Sequence, residues 1–168
     1  PSAEAATASD GGDNRYFTRL SEWSLDGNVF STDFTVPFAW ANRQVLFHLG
    51  WASGDYELRV NGRPAACNAD GNTPAEFNLT KLTKEGRNSL EIVVAQPSPT
   101  APLESWKEAP RPAIGGAWVM SQPTLHIRDV ITRTRLAEDG SATAEVAVVL
   151  KSDALNPRTS RIHYELLA

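Results

Sequence analysis

The chain has 168 residues, of which 41% are hydrophobic and 21% are charged, so it is large enough and apolar enough to bury a core. Its formal net charge of -4 argues against a nucleic-acid-binding surface. No stretch approaches the roughly 20 consecutive apolar residues that a membrane-spanning helix needs, so neither nucleic acid nor membrane is a predicted partner. The single cysteine, Cys67, excludes an internal disulfide.

The N-terminal residues 1–14 are small and polar and have no hydrophobic period, which predicts a disordered arm. The sequence starts at Pro1 rather than at a methionine, as it would after removal of a leader or where a longer chain is cut. This favours a secreted or periplasmic location. We predict that the ordered chain begins at residue 15.

Alternating apolar residues then predict a series of antiparallel strands. The first long strand runs from Val29 to Val36 and ends at Pro37, which cannot donate to a β-ladder. Gln44 to Gly50 is apolar on both faces, as is typical of a strand in the middle of a sandwich. Trp51 to Asp55 is predicted to be a loop.

The middle of the chain predicts a hairpin followed by two further strands. Tyr56 to Val60 alternates with period two, the dipeptide Asn61–Gly62 favours a tight turn, and the chain returns over Arg63 to Asn68. Pro74 to Thr80 predicts a short strand, and Asn88 to Val94 predicts a longer one.

Residues 95–116 are the least regular segment, because five prolines there exclude a continuous strand or helix. The segment also holds apolar residues such as Trp106 and Ile114, so we predict a long loop packed over one end of the sandwich rather than a linker. Residues 117–120 and 124–130 are predicted to be closing strands.

The period-two pattern resets at Asp129, which predicts a new element there. Residues 131–136 and 144–150 then predict a hairpin, and the alternation from Ile162 to Leu166 predicts a third strand. Three strands would leave an apolar face and a sheet edge exposed. We therefore expect a fragment whose strands pair with the first domain, a neighbour or a second copy, and a homodimer through residues 130–168 is predicted.

Three short strings occur in an order that resembles a known family: Val-Asn-Gly at 60–62, Phe-Asn-Leu-Thr at 77–80 and Gly-Arg-Asn-Ser-Leu at 86–90. They resemble the N-terminal sugar-binding domain of glycoside hydrolase family two, which includes β-galactosidases, β-glucuronidases and β-mannosidases. The resemblance covers positions 28 to 150 and is closest to the β-galactosidases.

The resemblance implies an all-β fold with two parts. Residues 15–129 are expected to form a jelly-roll, galactose-binding-like β-sandwich, and residues 130–168 are expected to start an immunoglobulin-like domain that is incomplete. In the family, two glutamates on a downstream barrel hydrolyse glycosides by the retaining route. The βαβ alternation of such a barrel does not occur in this sequence, so no catalytic residue is predicted here.

The predicted function is therefore that of a non-catalytic N-terminal sandwich, which supports the barrel of a β-galactosidase-like parent enzyme and shapes its substrate entrance. Carbohydrate is the expected partner, through that parent. Two alternatives stay open, an autonomous carbohydrate-binding module and a structural or protein-interaction sandwich.

Candidate sugar contacts combine aromatic rings, which stack on sugars, with polar side chains that bind hydroxyl groups. In β-galactosidases of the family, the loop after the hairpin and the loop before the closing strands reach toward the barrel, and the resemblance places residues 68–72 and 104–108 there. The candidates are Trp51, Asp55, Asn68, Asp70, Asn72 and Trp106. Both tryptophans could instead pack in the core or against another domain.

The sequence predicts no metal or cofactor. His48, His126 and His163 lie on separate predicted strands without a carboxylate or cysteine at ligand spacing. The stretch from Asp70 to Asn72 offers oxygen atoms that suit calcium, but they are too few unless backbone carbonyls contribute. Calcium is therefore the one cofactor that the sequence leaves open.

Overall fold

The computed structural model describes residues 14–95, 111–154 and 159–165. Its regular structure in these ranges consists of two short 3-10 turns, Asn14–Tyr16 and Phe38–Trp40, and eleven strands. The strands are β1 (Phe17–Arg19), β2 (Ser24–Asp26), β3 (Val29–Val36), β4 (Arg43–Ala52), β5 (Tyr56–Val60), β6 (Arg63–Asn68), β7 (Ala75–Asn78), β8 (Gly86–Val94), β9 (Ile114–Pro123), β10 (Leu125–Leu136) and β11 (Ala142–Ser152). The all-β prediction is confirmed.

Several predictions fall on residues outside the described ranges. These are the arm before Asn14, most of the proline-rich segment with Trp106, and Leu166. In the ranges that are described, no helix has the length and apolar character that crossing a membrane would require.

Two antiparallel sheets are built from β1 to β9. The four-stranded sheet has the order β1-β9-β4-β7, and the five-stranded sheet has the order β2-β3-β8-β5-β6. Two contacts show that β4 and β9 run antiparallel. Near one end, the side-chain amide of Gln122 donates to the side-chain oxygen of Gln44, and near the other end Gly50 lies against Gly116. Between these ends, the ring of His48 stacks on Trp118 at 3.8 Å.

One apolar core joins the two sheets. Fully buried side chains come from both layers and belong to the same cluster, namely Phe47, Leu49, Leu58, Val60, Leu90, Ile92, Val94 and Val119. Burying one such side chain contributes about 1.5 to 3 kcal/mol. This shared core confirms the predicted sandwich, and it explains why residues 17–122 need no disulfide to hold the two layers together.

The predicted hairpin is confirmed at its predicted bounds, with β5 ending at Val60 and β6 starting at Arg63. The turn residues Asn61 and Gly62 have φ values of 50° and 71°. Positive φ at both positions is what a tight hairpin turn requires, and asparagine and glycine tolerate it best. The predicted strand from Val29 to Val36 is also confirmed.

The predicted loop after Gly50 is wrong at its start, because β4 continues through Trp51 and Ala52. The reason is its neighbour β9, which starts at Ile114 and extends the sheet that far. Just beyond, the Ser53 amide donates to the carbonyl oxygen of Ala113 at 2.9 Å. A pairing partner more than sixty positions away in the chain leaves no local signal.

A buried amide network closes one end of the five-stranded sheet. Asn88 is 1% exposed, and its side-chain oxygen accepts hydrogen bonds from the Asn61 amide and from the Lys84 backbone, both at 2.9 Å. Its nitrogen donates to the carbonyl oxygens of Lys84 and Gly86. Asn61 in turn accepts from the Ser89 backbone. The network therefore ties the β5–β6 turn to the turn that precedes β8.

The chain divides into two compact units, and the second consists of residues 123–168. Its strands β10 and β11 pair as an antiparallel ribbon, which confirms the predicted hairpin. The new element predicted at Asp129 is wrong, because β10 runs through that residue. The pattern resets there because the register shifts between Ile127 and Asp129, as in a β-bulge. The extra residue returns Val130 to the face that holds Ile127.

The third strand predicted from Ile162 is wrong for the residues that are described, since 159–165 include no strand. Ile162 and Tyr164 instead line a groove of about 710 Å³ with Ala144, Val146 and Val148 of β11. Alternating apolar residues satisfied the period-two pattern, but this segment forms no backbone ladder with β11.

We expect Asn88→Ala to lower the free energy of unfolding by about 2 to 4 kcal/mol, because it removes the partners of one backbone N–H and two carbonyls and leaves a cavity. Urea unfolding followed by tryptophan fluorescence measures this. The control is Glu85→Ala in the same turn, which is exposed and should change stability by less than about 0.5 kcal/mol. Equal effects of the two substitutions would contradict a structural role for the network.

Candidate functional site

Two loops meet at the other end of the five-stranded sheet, residues 53–55 after β4 and residues 69–74 after β6. The Ala52 amide donates to the carbonyl oxygen of Gly71 at 2.7 Å. Gly71 is buried, and a Cβ added to it would overlap the carbonyl oxygen of Gly54. Backbone therefore packs directly on backbone, which only glycine allows.

The second loop is ordered by its own polar side chains. The side-chain oxygen of Asn68 accepts a hydrogen bond from the backbone N–H of Asp70 at 3.0 Å. A side-chain oxygen of Asp70 accepts one from the backbone N–H of Asn72 at 3.2 Å. Two such turns in succession are a local arrangement that asparagine and aspartate favour. The side chains of two predicted site residues, Asn68 and Asp70, therefore fix the shape of one loop.

The loop is also tied to the core through Tyr56. The side-chain amide of Asn68 donates a hydrogen bond to the hydroxyl of Tyr56 at 3.2 Å, and Tyr56 is only 2% exposed. Burial raises the pKa of the Tyr56 phenol above its ordinary value, and the hydrogen bond from Asn68 offsets only part of that rise. The hydroxyl therefore stays protonated at neutral pH. A neutral phenol can serve as both donor and acceptor at the base of this loop.

Asp55 and Asn68 face a common open groove of about 440 Å³. Tyr56, Glu57 and Arg59 also contribute to its lining, and Glu57 forms an exposed ion pair with Arg59 at 3.3 Å. Asp70 and Asn72 lie on the adjoining loop and are exposed. The structure therefore brings the four predicted polar residues to one end of the sandwich, two of them into one groove.

Trp51, the predicted aromatic residue that the structure describes, does not line that groove. Trp51 projects from β4 with 44% of its surface exposed, and its indole lies against the backbone of Gly115, where an added Cβ would overlap it. Trp106 lies outside the described residues. The role of Trp51 as a sugar platform stays a prediction, as do the roles of the polar residues.

The chemistry of this end suits hydrogen bonding to hydroxyl groups. Across residues 14–95, 111–154 and 159–165, no group of three or more His, Cys, Asp or Glu side chains is arranged to hold a metal ion. The side-chain oxygen of Asn68 and one of the two carboxylate oxygens of Asp70 accept backbone hydrogen bonds.

Sequence reasoning missed two residues that shape the site. Tyr56 was recognised as a strand residue, but its hydrogen bond to Asn68 was not predicted. Gly71 lies in the stretch that the sequence analysis considered only as a source of calcium-binding oxygens, and its single signal is a glycine between two turn-forming polar residues. That pattern predicts a turn but not the close backbone approach that makes glycine necessary.

Comparisons with known proteins show what this chain is similar to. No protein-family model matches the chain. A β-galactosidase of Yersinia pestis is 29% identical over 144 residues, which cover 82% of this chain and 14% of that protein. A β-galactosidase of Psychromonas ingrahamii is 28% identical over 112 residues, or 64% of this chain and 10% of that protein. The chain therefore spans a small part of the length of these relatives.

Solved structures show the same fold at lower identity. A β-D-glucuronidase from Dictyoglomus thermophilum has a TM-score of 0.54 and 20% identity over 73% of this chain and 25% of that chain. A β-glycosidase from Bacteroides vulgatus has a TM-score of 0.59 and 20% identity over 76% of this chain and 16% of that chain.

The fold and its polar end define a class of protein, the two-layer antiparallel β-sandwich whose end loops hold polar side chains. Within that class, the comparisons confirm, at low identity, the resemblance to the N-terminal sandwich of family-two glycoside hydrolases.

We expect Gly71→Ala to destabilise the chain by about 3 kcal/mol, because the new methyl group meets backbone that cannot move without displacing the 53–55 loop. Gly62→Ala is the matched control, since Gly62 has a positive φ of 71° but open space around it. It should cost only about 1 to 2 kcal/mol, from backbone strain. Thermal unfolding of both variants measures the difference.

If Gly71→Ala proved no more destabilising than Gly62→Ala, the tight contact between the two loops would not exist in solution.

Proposed function

We propose that this chain is the non-catalytic N-terminal sandwich of a β-galactosidase-like glycoside hydrolase, and that it supports the catalytic barrel and shapes its substrate entrance. The observation that carries the proposal is the similarity to a β-galactosidase over 82% of this chain. The barrel and the reaction belong to the proposed parent enzyme.

The geometry of the polar end supports this role. The Gly71 contact and the two side-chain turns at Asn68 and Asp70 hold the loops without any ligand. Loops that are already ordered can border a sugar site at little entropic cost. Glu57, a carboxylate of the groove, is paired with Arg59. A retaining glycosidase instead needs an acid and a nucleophile about 5 Å apart across the scissile bond.

We expect the purified chain to hydrolyse p-nitrophenyl β-galactoside no faster than buffer does, because the proposed catalytic glutamates lie on the barrel. The assay is repeated with Asp55→Asn and Glu57→Gln, which remove the groove carboxylates. Turnover that is above background and lost in either variant would contradict the proposal. Turnover that is equal in all three preparations comes from a contaminating enzyme, and purification should remove it.

A second candidate function, an autonomous carbohydrate-binding module, is favoured by the exposed indole of Trp51. A flat aromatic surface of this kind stacks on sugar rings. Trp51 rests on Gly115, so its position does not depend on a ligand.

Calorimetric titration of the chain with galactosides distinguishes the two functions. The supporting role predicts no binding by the isolated chain in the millimolar range. The binding module predicts an affinity that Trp51→Ala lowers about tenfold, through the loss of one stacking contact. Phe38→Ala is the control, because Phe38 is an aromatic residue that is 75% exposed on a different part of the chain.

A further inference from the structure

The hairpin turn between β5 and β6 contains the one Asn–Gly pair of the sequence, Asn61 and Gly62. In such a pair, the backbone nitrogen of the glycine can attack the side-chain carbonyl carbon of the asparagine. A C–N bond forms, ammonia leaves with the proton of the backbone N–H, and water opens the resulting succinimide ring to aspartate or isoaspartate. Glycine favours the attack because it has no Cβ to hinder it.

The folded chain holds the side chain of Asn61 at both ends. Its nitrogen donates to the carbonyl oxygen of Leu82 and to the side-chain oxygen of Asn88, both at 2.9 Å. Its oxygen accepts a hydrogen bond from the backbone N–H of Ser89 at 3.0 Å. Closing the succinimide ring turns the side chain toward Gly62 and removes its nitrogen, so these hydrogen bonds must break first.

The backbone of the turn is held as well. The backbone N–H of Asn61 donates to the carbonyl oxygen of Ser89 at 3.0 Å. The β5–β6 ladder continues up to the pair of Val60 and Arg63, which flank the turn directly. A turn that is closed by a ladder and by a buried amide network opens far less often than a free loop does.

We propose that Asn61 is a deamidation site that the fold protects, and that the reaction makes an opening of this turn permanent. The reaction proceeds from the opened turn or the unfolded chain, and its product cannot re-form the amide network. The proposal needs only residues of the sandwich and water as the co-reactant. It is independent of the sugar chemistry proposed above.

The product does not fit because a carboxylate has no N–H to donate. One of its oxygens can still accept from Ser89, but the other meets the oxygens of Leu82 and Asn88, which are both acceptors. Asn88 cannot reverse its amide to help, since its nitrogen already donates to the carbonyl oxygens of Lys84 and Gly86. Acceptors packed together without a donor destabilise the folded state. Isoaspartate also lengthens the backbone within a two-residue turn.

The first test compares the rate of deamidation at Asn61 in the folded chain and in the chain unfolded by urea, at the same mildly alkaline pH. Peptide mass spectrometry locates the product, and methylation by an isoaspartyl methyltransferase measures isoaspartate. We expect the folded chain to react at least about a hundredfold more slowly, because the turn opens rarely. Equal rates, or no reaction at Asn61 in the unfolded chain, would overturn the proposal.

The second test asks whether the amide network provides the protection. Asn88→Ala removes one partner of Asn61 and should raise the rate in the folded chain at least about tenfold, since opening becomes easier. Glu85→Ala is the matched control, because Glu85 is exposed in the same turn, and it should leave the rate unchanged. Equal rates in the two variants would contradict protection by the network.

The wild-type chain provides the same information if Asn88→Ala does not fold. Its rate of deamidation at Asn61 should rise with urea below the unfolding midpoint, because urea favours opening. A rate that does not depend on urea in this range would mean that the folded turn itself reacts, which would overturn the proposal.

The third test concerns the product. Asn61→Asp reproduces one product and should lower the urea midpoint at neutral pH, because the new carboxylate faces two acceptors. Asn42→Asp is the matched control, since Asn42 also has a positive φ, of 59°, but is exposed. It should leave the midpoint nearly unchanged. A midpoint for Asn61→Asp equal to that of the wild type would show that the product fits the turn, and would overturn the permanence of the opening.

Discussion

The sandwich depends on one constraint, which is that two sheets bury their apolar faces against each other. Side chains such as Phe47 and Leu90 are fully buried between the layers. Backbone groups that the packing also buries at the sheet ends need partners within the chain. At one end these partners are the amides of Asn61 and Asn88, and at the other they include the carbonyl of Gly71.

The same constraint accounts for the form of the polar end. Gly71 packs directly on the 52–54 backbone because the two loops share limited space above the core. Asn68 then links its loop to the buried Tyr56, and Asp70 orders the next turn. Polar side chains that could meet a sugar are thus held by the fold itself. This is the property that the proposed supporting role requires.

Local patterns in the sequence predicted the parts of the fold that depend on local physics. The hairpin turn at Asn61 and Gly62 and the strand from Val29 to Val36 follow from φ preferences and period-two alternation. What could not be predicted depends on partners distant in the chain. Trp51 is in a strand because β9 extends alongside it, and Gly71 is buried because of Gly54. Tyr164 has the right alternation but no ladder, so its predicted strand does not form.

The end loops can border a sugar site in this way only if they are held as firmly as the core beneath them. Native-state hydrogen exchange of the Ala52 amide tests this most directly, since that amide donates to Gly71 across the two loops. We expect the Ala52 amide to exchange only when the sandwich unfolds globally, with the same free energy as the central amides of β8. Exchange of the Ala52 amide through a local opening, several kcal/mol below the global value, would contradict it.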